Sequence, residues 1–120
     1  MPSEFRFIVF RPGETAKALV MFAQKSGRRL PAGKALSAEP TSGSPPNGTL
    51  WIETETGHDL PVPFDSRDIS SALLMYCISN KIPLPRESEK VLEYFKKGDA
   101  VLFALRIGIF PEAKEKKRAA

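Results

Sequence analysis

The stretch that decides the fold is Ala100–Ile109, AVLFALRIGI, the most strand-like segment of the chain. It is apolar except for Arg106 and Gly108, and it is too short to span a bilayer, which takes about 20 apolar residues. A strand needs neighbours, because its backbone N–H and C=O groups must find partners when they are buried. Other segments of the chain must therefore supply strands that pair with it.

Two structures are compatible with Glu87–Lys97, which precedes this strand. Pro85 before the segment and lysines just before Gly98 are signals for the start and end of a helix. The turn sequence of Lys96–Asp99 also fits a type I turn with a G1 bulge, which would join a strand over Lys90–Phe95 to the final strand. We expect the hairpin, because it gives the final strand a neighbour.

The N-terminal segment predicts a strand followed by a helix. Glu4–Phe10 places apolar side chains on both faces, so we expect an interior strand. Beyond the Arg11–Gly13 break, Thr15 is a suitable N-cap for a helix that runs to about Ser26, with Gly27 as its C′ residue. The predicted core stripe of this helix is Ala16, Leu19, Phe22 and Ala23.

A single domain over residues 1–110 is expected, interrupted by one flexible loop. Ser37–Gly48, SAEPTSGSPPNG, is rich in proline, glycine and serine and has no apolar periodicity with which to bury itself. Leu50–Glu55 and Leu60–Phe64 then predict a hairpin. Its second strand is expected at a sheet edge, because Pro61 and Pro63 lack amide donors on the same side.

The strongest helix prediction is Arg67 to about Asn80, with Asp65 or Ser66 as its N-cap. Its apolar stripe is wide enough to predict burial on more than one side or cover by a partner. The stripe consists of Ile69, Leu73, Tyr76 and Cys77, widened by Leu74, Met75 and Ile78. The order of the predicted strands and helices along the chain indicates an α+β protein. It contains the β-α-β-β-α-β series of a ferredoxin-like sandwich plus an extra strand.

Composition narrows the class of protein. With 42% hydrophobic and 27% charged residues the chain is not wholly disordered, and 120 residues suffice for one core. A lone cysteine and the absence of an N-terminal signal pattern favour the cytoplasm and no membrane partner. We interpret residues 111–120 as a basic disordered tail that carries half of the net charge of +4.

No catalytic, cofactor-binding or metal-ligating residues are predicted, and no cofactor. Phosphate-binding, zinc-protease and nucleophile-elbow motifs do not occur in the sequence. His58 and Cys77 are too few for a zinc finger, and we interpret Cys77 as a buried core thiol. Asp65 and Asp68 fall in a first helical turn, where capping explains them.

Five residues are candidates for contact with a partner. Trp51 departs from the inward set of its hairpin, although burial under the flexible loop also explains it. Arg28, Arg29, Lys81 and Arg86 lie in basic groups near predicted helix ends. The leading hypothesis is a non-catalytic interaction or regulatory module with an unknown protein partner or self-association. The alternatives are weak, sequence-independent nucleic-acid binding and an enzyme with an unrecognised site.

One family resemblance rests on the end of the second helix. The sequence Ile82-Pro83-Leu84-Pro85-Arg86 and the later short strand, within Asp68–Ile107, resemble small bacterial, especially proteobacterial, proteins classed as domains of unknown function. Phe10–Glu14 gives a fainter similarity to the same proteins. The resemblance implies a bacterial origin and nothing about mechanism.

Overall fold

A computed structural model of the chain describes residues 4–41, 43–85 and 88–109. Over these residues it contains two helices and six strands, so the predicted α+β class with two main helices is confirmed. In chain order the elements are β1 (Glu4–Phe10), α1 (Pro12–Ser26), β2 (Lys34–Pro40), β3 (Gly48–Glu53), β4 (Asp59–Phe64), α2 (Ser66–Ser79), β5 (Glu89–Lys97) and β6 (Ala100–Ile109). The predicted tail 111–120 lies outside the described residues.

The strands form two antiparallel sheets of three, ordered β1-β6-β5 and β2-β3-β4. This arrangement differs from the predicted ferredoxin-like sandwich, in which the strands share one sheet. The physical reason is that β2, β3 and β4 follow one another and pair with their neighbours along the chain. The N-terminal strand β1 pairs instead with the C-terminal strand β6.

Part of the predicted flexible loop Ser37–Gly48 is regular structure, so that prediction is wrong for its two ends. Its first residues belong to β2, where Ala38 is buried, and Gly48 begins β3. Between the strands, the Thr41 N–H donates to the Asn47 carbonyl at 2.8 Å, and the Asn47 side-chain oxygen accepts from the Ser66 N–H at 3.0 Å. Pairing with β3 supplies the backbone partners that the composition of this segment did not indicate.

Helix α1 begins earlier than predicted, which corrects the role of Thr15. Arg11 is the N-cap, and its backbone N–H donates to a Glu14 carboxylate oxygen at 2.9 Å. Thr15 is buried in the first turn, and its hydroxyl donates to the Arg11 carbonyl at 3.2 Å. Gly27 ends the helix at φ +77°, the left-handed conformation that glycine adopts without strain, as predicted.

The predicted C-terminal hairpin is confirmed, with a tighter turn than expected. Lys97 pairs with Ala100, so the turn contains only Gly98 and Asp99. Gly98 has φ +61° in the first turn position, where a type II′ turn places glycine. The predicted G1 bulge is therefore replaced by a two-residue turn, which lets β5 and β6 pair along the full length of β5.

Helix α2 begins at the predicted cap, since the Asp65 side chain accepts from the Asp68 N–H at 2.8 Å. Side chains from both helices and both sheets enclose one core. It includes Phe10, Leu19, Leu50, Phe64, Ile69, Leu73, Leu92, Phe103 and Leu105. Neither of the two described helices is long and apolar enough to cross a membrane.

Candidate functional site

The sheet β1-β6-β5 has one face in the core and one face toward solvent, because side chains alternate along each strand. The core face carries Ile8, Phe10, Leu92, Phe103, Leu105 and Ile107. The other face, called the open face below, consists of Phe5, Phe7 and Val9 of β1, Ala100, Leu102, Ala104, Arg106 and Gly108 of β6, and Glu89, Val91, Glu93, Phe95 and Lys97 of β5. The open face is therefore mostly apolar although it faces away from the core.

Large apolar side chains of the open face are in contact with water. Phe7 is 53% exposed, Phe95 is 43% exposed and Val9 is 38% exposed. Both helices pack on the opposite side of the sheet, in the core cluster that includes Phe10 and Leu105. Antiparallel sheets often have a solvated face, but that face is normally polar. An aromatic face in this position is unusual for a sheet face that is not covered by the rest of the molecule.

One pair of opposite charges lies in the middle of the open face. The Arg106 Nε is 3.4 Å from a Glu93 carboxylate oxygen, and both side chains are partly exposed. The Arg106 guanidinium carbon also lies 5.5 Å from the centre of the Phe5 ring, within cation–π distance. The two charges compensate each other, so the open face has no net charge in its centre.

Arg28, predicted as a partner contact, is held within the molecule. Its Nη2 donates to the Pro63 carbonyl at 2.6 Å, and its guanidinium lies 3.9 Å from the centre of the Phe64 ring. Its Nη1 is 3.8 Å from an Asp68 carboxylate oxygen. Arg28 therefore joins the end of α1 to β4 and α2, and these contacts account for its presence without a partner.

The other candidate contacts are scattered. Arg29 and Lys81 are exposed, with Lys81 just after α2 at φ +55°, and Arg86 lies outside the described residues. Trp51 is half-buried on the outer face of β3, between its strand partners Ser37 and Pro61. None of the described members of this set belongs to the open face. The described members of the predicted set therefore do not form a common surface.

Cys77 and His58 occupy different environments. Cys77 is fully buried on the core side of α2, and this burial raises the pKa of its thiol above its ordinary range. A raised pKa reduces the thiolate fraction, and the thiolate is the nucleophilic form. His58 is exposed in the β3–β4 turn, where its carbonyl accepts from the Thr54 N–H at 2.9 Å. No group of three or more potential metal ligands occurs within the described part of the chain.

A shallow cleft lies between the end of α1, the segment 28–33 and the edge of β2. Its volume is about 310 Å³, and its lining is mainly apolar, with Val20, Leu30 and Ile52 among the contributors. Gly33 closes one side at φ +149°, and a Cβ there would collide with the Glu53 carbonyl. The lining gives the cleft little polar chemistry, because its charged member Arg28 is already engaged with Pro63.

Comparison of the chain with protein-family models, with curated proteins and with solved structures finds no match. The resemblance to small bacterial proteins therefore stays a prediction. The open face is a site that the sequence did not reveal, since Phe5, Phe7 and Val9 were expected inside an interior strand. One feature of the sequence could have indicated this face: the N-terminal strand carries apolar side chains on both sides. Such a pattern has two explanations, burial on both sides or an uncovered binding face.

Proposed function

We propose that the protein is a non-catalytic interaction module that binds protein through its open face. The observation that carries this proposal is the exposure of Phe7, Val9 and Phe95 on one continuous sheet face. Aromatic residues are enriched at protein interfaces, because they contribute large apolar contact areas at a small entropic cost. We place this module in the cytoplasm, consistent with its single buried thiol, Cys77.

The size of the open face supports a protein partner. The aromatic rings of the open face are Phe5, Phe7 and Phe95, and each is roughly half exposed. Together they leave on the order of 300 Å² of apolar surface in water, since an aromatic side chain has about 150–250 Å² to bury. The largest apolar patch of a monomer is about 300–600 Å² and is often functional. The surface is formed by three neighbouring strands, whereas small-ligand sites are concave, so it suits another protein surface better than a small ligand.

Nucleic-acid binding by the folded part has less support. Of the two basic groups near helix ends, one includes Arg28, whose guanidinium is engaged by Pro63 and Phe64. The other basic group is formed in the sequence by Lys81, Arg86 and Lys90. The Lys90 ammonium group donates to the Pro85 and Ser88 carbonyls at 3.1 and 3.2 Å. These contacts reduce the number of cations available for phosphate contact.

A photoreactive benzophenone side chain, placed at position 95 in one variant and at position 7 in another, tests the proposal in cells that express the protein natively. We expect light-dependent covalent adducts with protein at position 95, and few or none at position 78 of α2. Ile78 is the matched control, because it is 72% exposed yet lies away from the open face. Excess unlabelled wild-type protein should suppress the adducts, whereas the Phe7→Asp variant should not. If positions 95 and 7 both give no protein adduct, the proposal is wrong.

A further inference from the structure

We infer that the partner of the open face is a second copy of this chain, joined by a two-fold axis that exchanges the Arg106–Glu93 ion pair between subunits. This inference rests on the proposed function and specifies its partner. In a two-fold interface the same patch faces itself, so each charge must meet its opposite across the axis. The centre of the open face satisfies this condition, because one arginine and one glutamate lie side by side there, while Glu89 and Lys97 lie toward the two ends of β5.

Strand register defines a suitable axis. Arg106 lies beside Phe7 and Val91, and the next row of the same face is Ala104 with Val9 and Glu93. The axis runs parallel to the sheet surface, at a right angle to the strands, and passes between these two rows. It places Phe7 over Val9 of the partner subunit. It also places Arg106 over Ala104 of the partner subunit, next to the partner's Glu93. Both ion pairs can then form across the interface.

Face-to-face stacking buries the exposed rings between two three-stranded sheets, as in a β-sandwich. The small side chain of Ala104 leaves room for the Arg106 side chain of the partner subunit at the centre. The exposed apolar area is below the roughly 800 Å² per partner of a standard interface, so we expect a dimer with a dissociation constant of about 1–100 µM. Association should therefore depend on concentration in the micromolar range.

Charge reversal provides the sharpest test. Arg106→Glu makes the centre of the face negative, and Glu93→Arg makes it positive, so each variant should repel itself. By sedimentation equilibrium we expect at least about tenfold weaker association for each variant alone, and recovery when the two are mixed in equal amounts. Circular dichroism of each variant verifies that the strands remain folded.

Apolar substitutions give an independent measurement if a charge reversal prevents folding. Phe95→Ser should weaken association at least about tenfold, whereas Ile78→Ser, at a more exposed site on α2, should leave it unchanged. The inference is overturned if the wild-type protein stays monomeric up to about 300 µM. It is also overturned if the mixed variants associate no more tightly than each alone, or if both serine variants behave alike.

The photocross-linking experiment separates failure of this inference from failure of the proposed function. Suppose that the adducts at position 95 contain only a different protein and that the wild-type chain is monomeric. This result would refute self-association through the open face and would still support the proposed function as an interaction module. Adducts between two copies of the chain support both. No adduct with any protein would refute both.

Discussion

Arg28 and Arg29 are adjacent cations with different structural roles. Arg28 turns back toward the molecule and donates to the Pro63 carbonyl, 35 residues away in the sequence, while Arg29 is exposed. The sequence placed both in one basic group, because charge composition carries no information about an acceptor on the backbone of a distant strand. Two local signals were correct, the Asp65 cap and Gly27, because both depend on residues within one turn of the helix end. The Thr15 cap was wrong, because Arg11 begins that helix earlier.

Replacing Arg28 by methionine should lower the free energy of unfolding by about 1–2 kcal/mol. Methionine keeps the aliphatic part of the side chain but removes the hydrogen bond to Pro63 and the stacking on Phe64. The ion pair with Asp68 contributes little, since it is long and partly exposed. Arg29→Met is the matched control and should change stability by less than about 0.5 kcal/mol. Urea denaturation measures both, and equal effects would show that the Arg28 contacts are not stabilising.

Strand β1 and helix α2 show which properties of an element the sequence determines. For α2, helical periodicity predicted a core stripe of Ile69, Leu73, Tyr76 and Cys77. Tyr76 is partly buried and the other three are fully buried, whereas Ile78, which was expected to widen the stripe, is exposed. For β1, the apolar side chains on both faces correctly predicted a strand. The predicted interior position is wrong, because β1 lies at the edge of the sheet β1-β6-β5. Which strands flank a given strand depends on pairing between distant parts of the chain, here β1 with β6, and a local pattern does not encode it.

Leu73 and Ile78 test the orientation of α2 with one helix as its own control. Leu73→Ala should reduce the free energy of unfolding by about 2–5 kcal/mol, because it leaves a cavity in the core. Ile78→Ala should change it by less than about 0.5 kcal/mol, since this side chain is 72% exposed. Denaturant unfolding of the two variants gives the comparison. A loss below about 1 kcal/mol for Leu73→Ala would place that face of α2 outside the core.

At the scale of the whole molecule, the two sheets share one core, and one of the contacts that join them is between distant segments. Gly48, the first residue of β3, packs against the Phe103 ring of β6 and against Ile69 of α2. Phe103 and Leu50 belong to the same core cluster, so neither sheet has a separate core. The sequence predicted one domain but not two sheets, because this contact joins a residue assigned to a flexible loop with the final strand.

Gly48→Ala should therefore destabilise both sheets together, by about 1–3 kcal/mol. An added Cβ would overlap the Phe103 ring and lie 2.9 Å from the Ile69 Cδ1, so the core would have to shift. Gly13→Ala in the first turn of α1 is the matched control: its Cβ meets nothing within 4 Å, and it should be neutral or slightly stabilising.

Two probes report the sheets separately during urea denaturation. Fluorescence of Trp51, the only tryptophan, follows β2-β3-β4, and the amide NMR signal of Leu105 follows β1-β6-β5. If the sheets share one core, the two transitions coincide in the wild type and move by the same amount in Gly48→Ala. A shift of the Trp51 transition alone would show that the sheets unfold independently. In that case the open face would belong to a unit that is stable without β2-β3-β4, and its association should survive the loss of that sheet.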